Sequence, residues 1–237
     1  EADIVRRIRQ NQLQAGMLRV VALSDIDKSV TALSYMPMMF RSLDELDYVR
    51  DQLRPELEKR LLDKGFVTLF WGDAGWVHFF SKEPVLRPGD LKKLKLFAWA
   101  GDNYQIDLMK AVGFQPIPLE TEDIYPSLQT GLISAVSTAP FYALATQVYG
   151  PAPHMLQMDW ATLVGAAVIN QKTWEAIPAA TRESLQKAAD EAGARIRARG
   201  RQEAQESIQT MVKRGLKVHT ITPEIEAEWR RTAEEVY

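Results

Sequence analysis

Cysteine is absent from this chain of 237 residues, and histidine occurs only three times. Without cysteine there is no disulfide and no thiolate chemistry, which excludes thiol catalysis but is compatible with any cellular compartment. The histidines, His78, His154 and His219, are too far apart in sequence to form a local metal-ligand motif. We therefore expect no metal site and no cofactor.

An excess of positive charge and long hydrophobic runs are also missing. Lys and Arg total 29 against 31 Asp and Glu, so the formal charge is −2 and no basic field is available to hold a polyanion. The longest apolar stretches, such as residues 163–169, are far shorter than the roughly 20 residues of a membrane-spanning helix. We expect a globular chain that does not bind nucleic acid.

The common catalytic motifs do not occur: there is no phosphate loop, dinucleotide fingerprint, nucleophile elbow or pair of zinc-binding histidines. An enzyme on this fold could use Asp73 or His78 as a general base, but no second polar residue completes a catalytic constellation. A non-catalytic binding protein is therefore the main expectation.

Local patterns in the first third predict one helix and several strands. Ser42 to Glu45 form a capping box, and leucines then recur at helical spacing until Gly65, which predicts a helix. Residues 18–23 have the composition of a buried strand. Residues 66–70 and 76–80 indicate two strands, which we expect to be separated by the loop Gly72-Asp73-Ala74-Gly75.

Strand and helix signals alternate in the middle of the chain. Residues 94–99 predict a strand that leads into a helix capped by Asp102 or Asn103. A second unit runs from Ile117 into a helix that ends at Gly131, and Pro126 predicts an irregular start or a bend in this helix. The alternation predicts an α/β fold with a largely parallel sheet, which binds ligands at the carboxyl ends of its strands.

Aromatic residues are concentrated near these strand ends. Trp71, Trp76, Phe97 and Trp99 lie at strand ends or beside glycine loops, where they could line a ligand pocket. Core packing is the alternative for each of them, because aromatic residues dominate buried cores as well as binding sites. The cluster points to a ligand more strongly than any single member.

Two acidic residues and one long helical pattern complete the candidates. Asp73 and Asp102 could accept hydrogen bonds from a ligand, but both positions also suit a turn or a helix cap, and capping is favoured for Asp102. Residues 181–214 predict a long, charged helix with Gly193 and Gly200 as possible bends.

Several segments together resemble the substrate-binding proteins of tripartite ATP-independent periplasmic (TRAP) transporters, the DctP type. Their order and spacing match this family over essentially the whole chain, although each segment alone is a weak signal. The segments are residues 37–40 with Glu45, 71–81, 90–96 (DLKKLKL), 125–133 (YPSLQTGLI) and 174–178 (WEAIP).

The resemblance implies a periplasmic-binding-protein-like α/β fold with two lobes and a long hinge-spanning helix. Lobe I is expected to contain residues 1–75 and 164–203, and lobe II residues 76–163 and 204–237. Hinge strands are expected near Gly75 and Val164. Because family members begin with a strand, a helix and a strand before the segment that matches Glu1, lobe I is expected to be incomplete at its N-terminus.

The ligand-clamping arginine of the family is replaced in this sequence. By the resemblance its position is Phe97, and a second arginine position matches Val77. A pocket without these cations favours a neutral, apolar or aromatic solute, or an amphiphile with a small polar end. The alternative is an acidic ligand held by backbone N–H groups at a helix start near Asn103.

The resemblance implies an extracytoplasmic protein that captures a small organic solute in an interlobe cleft and delivers it to TRAP membrane permease subunits. A periplasmic location is implied, with or without a lipid anchor. The alternatives are a sensory or assembly module on the same fold and, less favoured, an enzyme. The expected ligand-binding residues are Trp71, Asp73, Trp76, Phe97, Trp99, Asp102, Ser137, Thr138, Phe141 and Trp160.

Overall fold

A computed structural model of the protein describes residues 2–236. The strands, in chain order, are β1 (Ala15–Arg19), β2 (Phe66–Ser81), β3 (Lys95–Trp99), β4 (Gln115–Leu119), β5 (Ala135–Thr138), β6 (His154–Asn170) and β7 (Lys217–His219). The α-helices are α1 (Ala2–Arg9), α2 (Val20–Ser24), α3 (Leu43–Leu62), α4 (Pro88–Leu91), α5 (Asn103–Ala111), α6 (Ile124–Thr130), α7 (Pro140–Ala145), α8 (Gln171–Ala176), α9 (Ala179–Lys213) and α10 (Pro223–Glu234). Short 3-10 helices cover Lys28–Leu33 and Thr121–Asp123.

The chain divides into two compact units. Unit 1 contains the chain up to Tyr35 together with residues 40–75 and 162–201. Unit 2 contains residues 36–39, 76–161 and those from Gln202 onward. The lobe boundaries expected at 75, 163 and 203 lie within two residues of these divisions, but residues 36–39 fall in unit 2 rather than with the first segment.

Helix α3 forms as its N-terminal sequence predicts. The Ser42 hydroxyl accepts a hydrogen bond from the Glu45 N–H at 3.1 Å, and the Glu45 carboxylate accepts one from the Arg41 N–H at 2.6 Å. After the helix, Gly65 has a φ of 85° and donates its N–H to the Leu62 carbonyl at 2.8 Å. The left-handed backbone, which favours glycine, turns the chain into β2.

The strand predicted at residues 18–23 is wrong in position. Strand β1 ends at Arg19, and Val20 to Ser24 form α2 instead. Strand β1 pairs antiparallel with β6, from Ala15 opposite Ile169 to Arg19 opposite Gly165. The next residues turn into a helix that buries Val20, Ala22 and Leu23, so burial outweighs the strand preference of the valines.

The predicted interruption of β2 is also wrong, because this strand runs for 16 residues without a break. Gly75 takes a φ of 72°, and its N–H donates to the Asp73 carboxylate at 3.0 Å. A glycine can adopt this unusual backbone shape inside a strand without ending the strand.

The sheet of unit 2 has the strand order β6-β2-β5-β3-β4, with β7 also paired to β6. Strand β3 is parallel to β4 and β5, and β7 is parallel to β6, whereas β2 is antiparallel to β5. The prediction of an α/β fold is confirmed, but the sheet is mixed rather than largely parallel. Helical crossovers α5 and α6 produce the parallel pairs, and β2 enters the sheet before them in the opposite direction.

Helix α6 has the irregular start that Pro126 predicts. A 3-10 turn at Thr121–Asp123 precedes the α-helical residues Ile124–Thr130, and Gly131 closes the helix with a φ of 78°. The first turn of a helix tolerates proline because its N–H groups lack intrahelical partners.

Helix α9 is an uninterrupted helix of 35 residues. Its glycines allow the helix backbone to approach β2 within unit 1. A Cβ atom at Gly193 would lie 2.8 Å from the Phe70 Cβ, and one at Gly200 would lie 3.3 Å from the Asp73 carbonyl oxygen. Close packing against β2 therefore accounts for both glycines.

Candidate ligand-binding site

Five strand positions of unit 2 bring polar and aromatic side chains to one face of its sheet. His78 of β2 lies opposite Thr138 of β5, and Phe80 lies opposite Val136. Phe80, Val136 and Phe97 belong to one buried cluster, so they share a face of the sheet. Since side chains alternate along a strand, the same face carries Trp76, His78, Trp99 and Thr138. We call Trp76, His78, Phe97, Trp99 and Thr138 the aromatic face.

The members of the aromatic face differ in exposure. Phe97 is only 2% exposed and meets Trp99 edge to face, with ring centroids 4.7 Å apart. Trp99 packs against the buried cluster and, like Trp76, remains partly exposed. Phe97 is therefore a buried residue that packs against the Trp99 ring. The partly exposed indole rings of Trp76 and Trp99 are the surfaces that a ligand can contact.

Ser137 and Trp160 lie on the opposite face of the sheet. Ser137 pairs with Phe79, and these two residues are the sequence neighbours of Thr138 and His78. Adjacent residues of a strand point to opposite faces of the sheet. The Trp160 ring lies 5.5 Å from Phe79 and 5.5 Å from Trp229, centroid to centroid, in an aromatic cluster. The structure therefore separates these two residues from the aromatic face.

Asp102 and Phe141 follow the carboxyl ends of β3 and β5. The Asp102 carboxylate accepts a hydrogen bond from the Gln105 N–H at 3.1 Å, which confirms its predicted capping of α5. Phe141, in the first turn of α7, is 49% exposed. These residues lie in segments where an α/β sheet presents its binding loops.

Trp71 and Asp73 belong to unit 1, where internal partners occupy their polar atoms. Trp71 is 2% exposed and donates its Nε1–H to the Glu58 carboxylate at 3.2 Å. The Asp73 side chain is 1% exposed and accepts a hydrogen bond from Arg201 Nη2 at 2.9 Å. With its carboxylate buried against a guanidinium, Asp73 has no access to a substrate as a general base.

Arg201 is the centre of a network of ion pairs in unit 1. Its two terminal nitrogens each lie 2.8 Å from an Asp47 oxygen, and Asp47 also pairs with Arg50 at 2.6 Å. Burial opposes ionisation of Asp47, but the hydrogen bond and charge of Arg201, with Arg50, lower the pKa of Asp47 below its ordinary value. No local sequence pattern indicates this network, because its members lie up to about 150 positions apart.

His78 is a buried, neutral side chain of the aromatic face. Its Nδ1 lies 3.0 Å from the Met158 carbonyl oxygen, which can only accept, so this nitrogen carries the proton. Burial lowers the pKa of His78, although the hydrogen bond to the carbonyl opposes the shift. In this tautomer Nε2 is a hydrogen-bond acceptor.

Within residues 2–236, no three His, Asp or Glu side chains come together in a way that could hold a metal ion. Over the same part of the chain, no helix combines the length and the apolar composition needed to cross a bilayer.

Comparison with protein families identifies the chain. Residues 1–237 match the family model DctP, described as bacterial extracellular solute-binding protein, family 7. The chain belongs to this family. The resemblance drawn from the sequence is confirmed, and the DctP family is one of solute-binding proteins, which favours binding over catalysis.

Curated relatives and a solved structure agree with this assignment. A solute-binding protein of a Sulfitobacter species is 29% identical over 220 residues, which is 91% of this chain and 66% of the relative. The C4-dicarboxylate-binding periplasmic protein DctP of Rhodobacter capsulatus is 24% identical, over 85% of this chain and 61% of the relative. The chain thus spans less than two thirds of the length of these relatives.

The fold agrees with that of a TRAP periplasmic solute binding protein from Ralstonia eutropha, whose structure contains bound (S)-2-acetolactate. The TM-score is 0.91 at 22% identity, with 100% of this chain and 77% of the other covered. This similarity shows a shared fold and confirms the predicted fold class.

Proposed function

We propose that this protein is an extracytoplasmic solute-binding protein that captures a small organic solute and delivers it to the membrane subunits of a TRAP-type permease. The observation that carries this proposal is the match of the whole chain to the DctP family model. The family description supports a location outside the cytoplasm, whereas the lipid anchor stays a prediction.

We further propose that the solute is apolar or aromatic and binds against Trp76 and Trp99 of the aromatic face. Both residues are partly exposed in unit 2, and the buried Phe97 packs edge to face against the Trp99 ring. Burial of an aromatic solute against such rings removes apolar area from water and adds favourable ring contacts.

The charges of unit 2 favour a neutral solute over an anion. Arg87 pairs with Glu228, Arg214 donates to the Tyr149 hydroxyl, and Arg230 donates to the Met38 carbonyl and to Glu226. The N-terminus of α5 is capped by the Asp102 carboxylate, which would repel an anion at that position. These three arginines are therefore engaged within unit 2, and the start of α5 disfavours an anion.

A small polar group on the solute fits the remaining members of the aromatic face. Neutral His78 offers an acceptor at Nε2, and the Thr138 hydroxyl can donate or accept. A hydroxyl or amide group on the solute can pair with these side chains without burying a charge. The acid-binding relatives make an organic acid the competing hypothesis.

The identity of the solute can be tested by native mass spectrometry of the purified protein, followed by denaturing extraction and analysis of released small molecules. We expect an apolar or aromatic compound. Isothermal titration calorimetry with that compound should then show a dissociation constant raised about tenfold or more by Trp99→Ala.

Tyr48→Ala is the control, because Tyr48 is an exposed aromatic residue of unit 1 and lies outside the aromatic face. It should leave affinity for the extracted compound unchanged. Recovery of a dicarboxylate or sugar acid, held equally by the parent and Trp99→Ala, would refute the aromatic site while leaving solute binding intact.

A further inference from the structure

Unit 1 contains a cavity that none of the expected ligand-binding residues lines. Its volume is about 430 Å³, and α3, the start of β2, α8 and the first turns of α9 surround it. This volume falls within the range of small-molecule sites, roughly 300–1,000 Å³. We call it the α8–α9 cavity; its wall includes Leu62, Thr68, Trp174, Glu175, Arg182 and Gln186.

Two buried polar atoms of this wall lack hydrogen-bond partners within residues 2–236. They are the Thr68 hydroxyl and the Arg182 Nε–H. Thr68 is 7% exposed and lies in β2, so its hydroxyl is held in place by the strand. A buried polar group without a partner is costly, and Thr68 and Arg182 both line this cavity, so a ligand bound there is a candidate partner for the two atoms.

Four other polar residues of the cavity, Glu58, Gln171, Glu175 and Gln186, have hydrogen-bond partners, and Lys59 is a second cationic residue of the wall. Glu58 accepts hydrogen bonds from Arg54 and Trp71, and Glu175 accepts one from Gln171. Across the part of the chain that the structure describes, Arg182 forms no ion pair. Its positive charge is thus available to an anion.

We propose that the α8–α9 cavity binds a small carboxylate with an apolar or aromatic body. The Arg182 Nε–H and the Thr68 hydroxyl both donate to an oxyanion, and a guanidinium matches the planar geometry of a carboxylate. Trp174, Leu62 and Val67 supply apolar wall against which the body of the ligand packs. The site is independent of the solute proposed for the aromatic face.

Benzoate is a suitable probe, with benzamide as its neutral analogue. Isothermal titration calorimetry measures both on the full chain carrying Trp99→Ala, in which binding to the aromatic face is weakened. We expect benzoate to bind and benzamide to bind at least tenfold more weakly. Arg182→Gln should weaken benzoate binding about tenfold or more. Arg195→Gln, at an exposed position of the same helix, should not change it.

Thr68→Val separates ligand binding from folding. The substitution keeps the shape of the side chain and removes a hydroxyl that has no partner in the ligand-free protein, so the unfolding temperature should rise while benzoate affinity falls. Because these titrations use the Trp99→Ala background, a benzoate signal that depends on Arg182 and Thr68 belongs to this cavity and not to the aromatic face.

Three results would overturn the proposal. The first is an absence of benzoate binding, or binding that survives Arg182→Gln. The second is equal affinity for benzoate, benzamide and inorganic phosphate. The third is a lower unfolding temperature for Thr68→Val, because the hydroxyl would then have a stabilising partner inside the protein.

Discussion

Arg201 illustrates how a single side chain can decide the role of its neighbours. It donates to Asp47 and to the buried Asp73, and its pKa is raised above its ordinary value because these hydrogen bonds outweigh the effect of burial. Asp73 also accepts the Gly75 N–H, so it holds the backbone of β2 as well as the guanidinium. Its carboxylate is therefore engaged by internal partners, and contact of Asp73 with a ligand stays a prediction.

Removal of Arg201 should strongly destabilise the protein. Arg201→Gln removes the guanidinium that binds both Asp47 and the buried Asp73, and although Arg50 still pairs with Asp47, we expect the free energy of unfolding to fall by about 3 kcal/mol. Urea denaturation followed by circular dichroism measures this change. Arg195→Gln is the control and should stay within about 0.5 kcal/mol of the parent; a similarly small effect of Arg201→Gln would contradict the network.

The destabilising effect of Arg201→Gln should become smaller at acidic pH. The pKa of Asp47 is lowered in the folded protein, so its contribution to stability is present above its ordinary value of 3.8 and is lost as the pH falls below it. The difference in stability between the parent and Arg201→Gln should therefore narrow below pH 3.8. A constant difference across this range would show that Asp47 does not respond to Arg201.

At the scale of elements, α9 and β2 pack so closely that glycine is required at the contact. A Cβ atom at position 193 would meet the Phe70 Cβ and ring atoms at 2.8–3.0 Å, closer than such atoms normally approach. The helix sequence alone suggests a flexible point, whereas the packing shows a close contact. Helix propensity therefore predicts that alanine at position 193 stabilises the protein, whereas packing predicts that it destabilises the protein.

Gly193→Ala separates these two effects. Propensity alone predicts a gain of roughly 1 kcal/mol, but the clash with Phe70 should produce a net loss of about 1–3 kcal/mol in the free energy of unfolding. Ala188→Gly, at an exposed position of α9, measures the propensity contribution alone. An increase in stability for Gly193→Ala would refute the close-contact explanation.

At the scale of the whole molecule, three elements continue from the residues of one unit into those of the other. Strand β2 passes the boundary at Gly75, β6 passes it at Ala161, and α9 passes it at Arg201. Local opening of one unit therefore disturbs secondary structure that the other unit also uses. This continuity favours cooperative unfolding of the chain.

Hydrogen exchange tests this cooperativity. Arg201→Gln changes unit 1, yet we expect the most protected amides of β5 in unit 2 to exchange faster. The increase in their exchange rate should correspond to the whole decrease in the free energy of unfolding. Mass spectrometry of peptides that cover Ala135–Thr138 provides the measurement. Parental protection of β5 in this variant would show that the units unfold separately.

The sequence by itself determined the features that depend on neighbouring residues or on a family pattern. Ser42 and Glu45 predicted the start of α3, Gly131 predicted the end of α6, and Asp102 predicted a cap. Each of these depends on hydrogen bonds within a few positions. The DctP resemblance depended on the order of short segments along the chain, which needs no tertiary structure.

Only the tertiary structure decided which distant groups meet. It continued β2 through Gly72-Asp73-Ala74-Gly75, paired Asp73 with Arg201, and placed Trp160 opposite the aromatic face. It also brought the Thr68 hydroxyl and Arg182 to one cavity. These outcomes depend on strand register and on packing between residues more than 100 positions apart, and neither is encoded in local periodicity or propensity.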